Sequence, residues 1–294
     1  MQCRNVLTRI DALRTGELEK PESQEVERHL DACPSCNESV GDIDEFATAI
    51  RSLSSDAPVS IRKSIEMAVC DSFEAIDVDG ERVWVAFSSQ GIRMIDLRSR
   101  DANEFREAYR SRFERDLREG KMPDRFRRAV ESSIRGQGAE SMDVDLSGMS
   151  EFEQQVLRTI FAIPRGEVRP YSWVARAVGR PKAERAVGTV MATNPIPFLL
   201  PCHRVVPAGG GVGNYGFGPA RKRSILGAEG APVEELDACA RRGIHFIGSR
   251  TTKIFCLPTC RDAQRIREEN RVAFHDEREA AKKGFRPCKR CKAA

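Results

Sequence analysis

Pro201-Cys202-His203-Arg204-Val205 sets a thiol beside an imidazole and a guanidinium. A cysteine reacts as thiolate, and cationic or proton-accepting neighbours lower its pKa from roughly 8.5. His203 is the natural base, directly or through a water, and it needs a third group to orient it. Glu229 is a candidate, because a carboxylate holds an imidazole in one tautomer. Taken alone, the Cys-His adjacency suits a buried structural thiol better, the commoner fate of a lone cysteine. The surrounding sequence has to decide.

Upstream of this pentapeptide the chain reads as helical. Ser150 and Glu153 form a capping box ahead of Phe152, Val156, Ile160 and Ile163, and Pro164 with Gly166 ends that helix. A short helix is predicted over 172–178 and another over 181–192. Gly179 turns the chain between them, which makes a helix-turn-helix. Further upstream, alternation in 83–87 and 92–95 predicts a hairpin across Ser88 to Gly91. Phe105, Tyr109, Phe113 and Leu117 recur every fourth residue, the core-facing stripe of a helix. Residues 62–135 thus read as a small α+β unit, 136–148 as a connector, and Ser52 to Ser60 as a polar stretch. Cys70 and Cys239 fall in no spacing pattern and read as buried thiols.

With these pieces in order, the stretch from Tyr171 to Glu229 closely resembles the active domain of the O6-alkylguanine-DNA alkyltransferases (methylated-DNA–protein-cysteine methyltransferases). The matching pieces are Arg180-Pro181-Lys182-Ala183, Arg185-Ala186-Val187-Gly188, Asn194-Pro195, Pro201-Cys202-His203-Arg204-Val205-Val206 and Gly213-Asn214-Tyr215. Residues 62–148 resemble, more weakly, the family's N-terminal domain with its ribonuclease-H-like fold. A non-repairing branch carries Trp at the acceptor position, whereas here it is Cys202.

The resemblance implies that Cys202 accepts an alkyl group from O6 of guanine, or from O4-methylthymine, in double-stranded DNA. It makes His203 the base acting through water, Glu229 its orienter and Asn194 the support of the turn. Tyr171 would sit at the flipped base and help protonate guanine as it leaves. Arg185 would fill the vacated stack as a finger, while Pro197 and the backbone from Tyr215 to Gly218 would line the pocket. Small residues Ala183, Ala186, Val187 and Gly188 would let the recognition helix lie close to the minor groove. Extruding the base costs roughly a few kcal/mol, part of which an intercalating side chain offsets. Transfer leaves a thioether, so the protein is consumed after one event.

Cys256-x3-Cys260 and Cys288-x2-Cys291 have the spacing of a tetrahedral four-cysteine zinc site, whose usual work is to fold a small domain. Thr251 to Cys260 and Gly284 to Cys291 closely resemble the zinc domain of the bacterial adaptive-response protein, Ada. In that family the first ligand, here Cys256, also accepts methyl from methylated phosphates. That domain normally precedes an AraC-type helix-turn-helix; here it follows the alkyltransferase stretch, so transcriptional activation is not implied.

His29-x3-Cys33-x2-Cys36 puts an imidazole and a thiol on one helix face, and Cys3 could complete a second zinc site. This motif resembles the zinc-binding anti-sigma domain. A sigma factor is then a candidate partner of residues 1–52. The alternative function is an alkylation- or redox-responsive regulator acting through that domain.

Charge is segregated. Residues 151–230 hold eleven Lys/Arg against five Asp/Glu, and residues 241–294 hold fifteen against six, within a chain of formal net charge +4. Two basic modules behind an acidic front suit a polyanion bound at the back. Ten cysteines without an export signal point to metal ligation and thiol chemistry rather than disulfides. Without an eighteen-residue apolar run or a leader, a cytoplasmic protein that binds no membrane is expected.

The expected architecture is multidomain α+β. It comprises a zinc-finger domain over 1–52, a ribonuclease-H-like domain over 62–148, a helical, winged-helix-like alkyltransferase domain over 149–231 and a four-cysteine zinc domain over 236–294. The zinc ions are the expected cofactors, two in all, with no organic cofactor.

Overall fold

The computed structural model describes residues 2–15, 17–42, 70–138 and 143–292. The polar stretch from Ser52 to Ser60 and the start of the predicted α+β unit, 62–69, lie outside the described residues. The chain divides into two units, Met1–Ser64 and Ile65–Ala294, and is mixed α/β.

In the first unit, helices Cys3–Leu7 and Ile10–Thr15 precede helix Lys20–Ala32. Pro21 stands in the first turn of that helix, where its missing N–H costs nothing. Cys33 breaks the helix with extended backbone, and residues 34–42 are helical again.

The second unit begins with a four-stranded sheet of β1 (Cys70–Val78), β2 (Glu81–Phe87), β3 (Ile92–Asp96) and β4 (Asp116–Glu119), in the order β3-β2-β1-β4. The predicted hairpin is present, with Val85 opposite Ile95 and Ala86 opposite Met94. β1 runs antiparallel to β2 and parallel to β4, with helix Ala102–Phe113 between β3 and β4 in the chain. Asp101 caps that helix by accepting from two backbone N–H groups.

The predicted stripe needs one correction. Phe105 and Tyr109 are buried on the helix, but Glu114 adopts a left-handed conformation that ends it, and Leu117 belongs to β4. The buried pattern continues because the chain returns to the same core, not because the helix does. Cys70 is likewise only half-buried, at the head of β1, while Cys239 is buried as expected.

In the 136–148 connector the described residues 143–148 are more structured than expected, and 139–142 lie outside the described residues. Val144 bridges Ile92 in parallel, and the Asp145 carboxylate accepts from Ser88 at 2.6 Å beside the buried Arg93 guanidinium.

Helix Glu151–Phe161 starts at the predicted capping box, worth about 1 kcal/mol, and buries Val156, Leu157 and Ile160. Ile163 is buried just beyond its end. Helix Tyr171–Ala177 and helix Glu184–Ala192 make the predicted pair, although the second starts three residues later than expected. Gly179, at φ +72°, takes the left-handed turn between them. The sheet's inner face and these helices share one hydrophobic core, which includes Ile76, Val85, Val156, Ile160, Val187 and Cys202.

The last part holds helix Val233–Arg241 and a sheet of β5 (Phe246–Ser249), β6 (Ile254–Cys256), β7 (Arg271–Phe274) and β8 (Arg286–Pro287), around a separate core centred on Phe255, Phe274 and Phe285. Among the described residues no helix is long and apolar enough to cross a membrane.

Candidate active site and metal centres

A tight turn presents the thiol. The Asn194 amide donates to the Leu200 carbonyl at 2.9 Å, and its side-chain oxygen accepts from the Ile196 N–H at 3.0 Å. Within this loop Phe198 sits at φ +69°, a conformation that non-glycine residues hold only when their surroundings enforce it. Pro201 then leads into a single 3-10 turn, Cys202–Arg204, with the Cys202 N–H bonded to the Leu200 carbonyl at 2.8 Å. Cys202 is 6 % exposed. It opens on a cleft of about 190 Å³, walled by Asn194, Pro197, Tyr215, Gly216 and Phe217, and by Asp96 and Arg98 from the end of β3.

Burial pushes the Cys202 thiol up, while Asn194, the Lys222 ammonium and the Tyr215 hydroxyl pull it back down. The Tyr215 hydroxyl is buried without a geometrically acceptable partner among the described residues, so its influence on the sulfur comes from proximity rather than a formed bond. Burial and then the Cys202 charge drive the Tyr215 phenol upward. Tyr171, half-buried at the first position of its helix, does not line the cleft. Burial and then the Cys202 charge raise its phenol too, so it lies within electrostatic reach of the sulfur.

Behind the thiol, His203 Nε2 and Glu229 Oε1 are 3.0 Å apart, and both side chains are almost fully buried. Burial lowers His203 against the opposing pull of Glu229, so the imidazole is neutral at pH 7. Burial alone would raise Glu229, but hydrogen bonds from His203 and Arg204 outweigh it and hold the carboxyl at about 2. A carboxylate only accepts, so Nε2 carries the proton and Nδ1 is the basic nitrogen. His203 Nδ1 is buried with no hydrogen-bond partner among the described residues.

Two corrections concern cations. Arg204, expected beside the thiol, turns away from it: its guanidinium grips Glu229 at 2.7 and 3.0 Å and donates to the Ile163 carbonyl at 2.7 Å. The cation that acts on Cys202 is Lys222, which the sequence reading missed. Lys222 lies on helix Pro219–Ala228, 1 % exposed, and its ammonium donates to the Val205 carbonyl at 2.6 Å. Burial brings it down to about 8 against the pull of Cys202. The run Arg221-Lys222-Arg223 reads as a solvated face, and no periodicity in it marks the middle residue as buried.

Arg185 is exposed near the start of helix Glu184–Ala192, as a finger requires, and Ala186 is exposed beside it. Val187, expected near the groove, is instead wholly buried in the core.

Each expected metal centre is brought together. Cys256, Cys260, Cys288 and Cys291 are all buried, with sulfur atoms within 4.8 Å of one another. Ligand atoms of Cys3, His29, Cys33 and Cys36 meet within the same limit, and the Cys3 and Cys33 sulfurs are 3.9 Å apart. His29 Nε2 is buried without a hydrogen-bond partner among the described residues, as a metal-ligating nitrogen should be. Both sets suit zinc at about 2.0–2.3 Å from each ligand. Cys256 also borders a cleft of about 710 Å³ rich in Arg265, Arg267, Arg286, Lys289 and Arg290.

Residues 151–231 match the family model of the 6-O-methylguanine DNA methyltransferase DNA-binding domain. Residues 233–293 match the metal binding domain of Ada, and residues 3–37 match the model described as "Putative zinc-finger". The chain therefore carries stretches similar to an alkyltransferase DNA-binding domain, to the Ada metal domain and to a zinc finger, and the last two hold the two ligand clusters suited to zinc.

A methylated-DNA–protein-cysteine methyltransferase of Mycolicibacterium paratuberculosis is 44 % identical over 88 residues, 30 % of this chain and 53 % of that protein. The human protein of the same name is 49 % identical over 80 residues, 27 % of this chain and 39 % of that protein. The chain thus spans about half the length, or less, of these curated relatives. Among solved structures, Mycobacterium tuberculosis OGT in complex with DNA aligns with a TM-score of 0.44 and 26 % identity, covering 55 % of this chain and 96 % of that one.

Proposed function

We propose that this protein repairs alkylated double-stranded DNA by moving the alkyl group from O6 of guanine, or O4 of thymine, irreversibly onto Cys202. The observation that carries this reading is the relay behind the thiol. Glu229 fixes the tautomer of a neutral His203, whose free nitrogen is buried and unpartnered. A water between that nitrogen and the thiol takes the Cys202 proton to His203, and Lys222 stabilises the thiolate that remains. The sulfur attacks the alkyl carbon in line, the carbon–O6 bond breaks, and its electron pair stays with guanine. Tyr171 supplies the proton that neutralises the leaving base. The C–S bond has no good leaving group, so the event is not reversed.

For the reacting carbon to reach Cys202, the nucleotide has to leave the duplex. Arg185, exposed on the second helix of the pair, fills the gap. Pro197 and Tyr215 wall the receiving cleft. The sheet order β3-β2-β1-β4, with β4 parallel to β1, supports a ribonuclease-H-like domain over 62–148. The helix pair supports a winged-helix-like alkyltransferase domain over 149–231, flanked by zinc domains over 1–52 and 236–294. The work is cytoplasmic on this reading.

Cys256, beside its basic cleft, is proposed as a second acceptor, taking methyl from neutral methyl phosphotriesters. Zinc would keep its sulfur ionised at neutral pH. Nothing among the described residues favours the alternative regulator over repair.

The test is a duplex carrying one O6-methylguanine. The native protein restores guanine, whereas Cys202→Ser binds the duplex equally well and restores none. Restoration by Cys202→Ser at the native rate refutes the assignment.

A further inference from the structure

The C-terminal zinc domain is fastened to the segment that carries Tyr171. The Trp173 indole N–H donates to the carbonyl of the zinc ligand Cys291 at 2.8 Å, and its ring packs against both the alkyltransferase core and the zinc-domain core. The Arg169 guanidinium stacks over the same ring at 5.5 Å and is held by Glu167 at 2.6 Å, with both charged groups buried. Glu167 in turn accepts from the backbone N–H of Arg261, next to Cys260, at 3.2 Å. Thr259, on the other side of Cys260, bonds both the N–H and the carbonyl of Val168, at 2.9 and 3.3 Å. Two of the four cysteine ligands are therefore tied to Glu167–Trp173, Cys291 through its own carbonyl and Cys260 through both of its chain neighbours.

Tyr171 and Trp173 lie in one helical turn. At about 100° per residue they point roughly 200° apart. Tyr171 packs against the core that includes Cys202, while Trp173, turned to the other side of the helix, holds the zinc domain. Glu167, Arg169 and Thr259 are buried, so leaving any of them unpaired is costly.

We propose that Trp173 is a positioning residue through which the zinc-loaded four-cysteine domain sets Tyr171 in place, so that occupancy of the C-terminal metal site controls the rate of alkyl transfer at Cys202. The proposal rests on the repair reading for its consequence, but its mechanical part does not. Without zinc the Cys291 carbonyl and the Thr259 hydroxyl lose their fixed places, and the first turn of the helix loses its outer support. Tyr171 then samples positions from which it cannot protonate the leaving guanine. A damaged or metal-stripped zinc domain would thereby slow a chemically intact thiol elsewhere in the chain.

The experiment uses the full chain with two readouts. The first is tryptophan emission, which needs no DNA. The chain has two tryptophans, Trp84 and Trp173. Loss of zinc through Cys288→Ala should shift the emission to the red, and the shift should vanish when Trp173→Phe leaves Trp84 alone. The second is the single-turnover rate of methyl transfer to Cys202 from a duplex with one O6-methylguanine. Trp173→Phe, which keeps zinc, and Cys288→Ala, which loses it, should each slow transfer by roughly threefold to tenfold, the range expected for one net hydrogen bond. Neither change should slow a Tyr171→Phe protein further, because the residue being positioned is already gone. Native transfer rates in Cys288→Ala with unshifted emission overturn the proposal. So do losses that multiply with Tyr171→Phe, which would assign Trp173 to general stability. If the native protein transfers no methyl at all, the repair reading fails while the emission result still decides the mechanical link.

Discussion

Glu229→Gln removes one charge from a site where His203 and Arg204 both depend on it. The carboxylate receives His203 Nε2 at 3.0 Å and the Arg204 guanidinium at 2.7 Å, and its side chain is 2 % exposed. Its pKa falls from an ordinary 4.5 to about 2. At 1.36 kcal/mol per pH unit, that difference contributes roughly 3 kcal/mol to stability at pH 7. Because the folded value lies below the unfolded one, the contribution is complete above about pH 5. It is lost as pH falls through about 2, where the folded carboxyl takes up its proton. Glutamine keeps the shape but leaves Arg204 buried without its counter-ion, for which a loss of about 3–5 kcal/mol is typical. The expected outcome is a loss of about 3 kcal/mol at pH 7, or roughly 6–12 °C in Tm for a unit of this size. Urea unfolding of both proteins, followed by circular dichroism from pH 7 to pH 3 with zinc present, measures it. Acid release of zinc affects both chains alike, so the difference between them isolates Glu229. The gap should narrow toward low pH. A gap under about 1 kcal/mol at pH 7, or one that does not change with pH, refutes an ionised Glu229 as the hub of the site.

Three further outcomes are expected. Lys222→Met should slow reaction of Cys202 with a soluble O6-alkylguanine at pH 7 and move the alkaline rise of the pH–rate profile to higher pH, since a cation near the thiol is gone; an unmoved profile would show that Lys222 serves only to bond the Val205 and Asn214 carbonyls. Arg185→Ala should slow repair of duplex DNA at least tenfold while barely affecting the free alkylated base, because a finger matters only where there is a stack to hold open; equal losses on both substrates would move Arg185 into folding or pocket chemistry. Metal analysis should find two zinc ions per chain, one lost in Cys33→Ala and the other in Cys288→Ala; a single ion indifferent to Cys33→Ala removes the N-terminal site.

The features legible in the sequence were those encoded locally. The Ser150–Glu153 capping box, the hairpin across Ser88 to Gly91 and the Gly179 turn each depend on a few adjacent residues, and each is present. The pairing of His203 with Glu229 follows both from an imidazole's need for an orienting carboxylate and from the resemblance, and the structure brings the two together. What escaped depends on tertiary packing. Lys222 is buried only because helix Pro219–Ala228 lies against the thiol turn. Arg204 leaves the thiol because Glu229 and the Ile163 carbonyl offer it better partners. Leu117 kept the helical spacing by coincidence, since a left-handed Glu114 had already ended the helix. The cleft wall from Asp96 and Arg98 belongs to a strand end more than a hundred residues from the loop it faces, where Arg98 bonds the Gly216 carbonyl at 2.5 Å.

The central claim is that Cys202 is consumed as the acceptor. Intact mass and peptide mapping, after incubation with excess duplex containing O6-methylguanine, test it most directly. The account predicts one methyl per chain on Cys202, retained through prolonged incubation, and none at that position in Cys202→Ser. More than one guanine restored per chain, or transfer that leaves Cys202 unmodified, contradicts it.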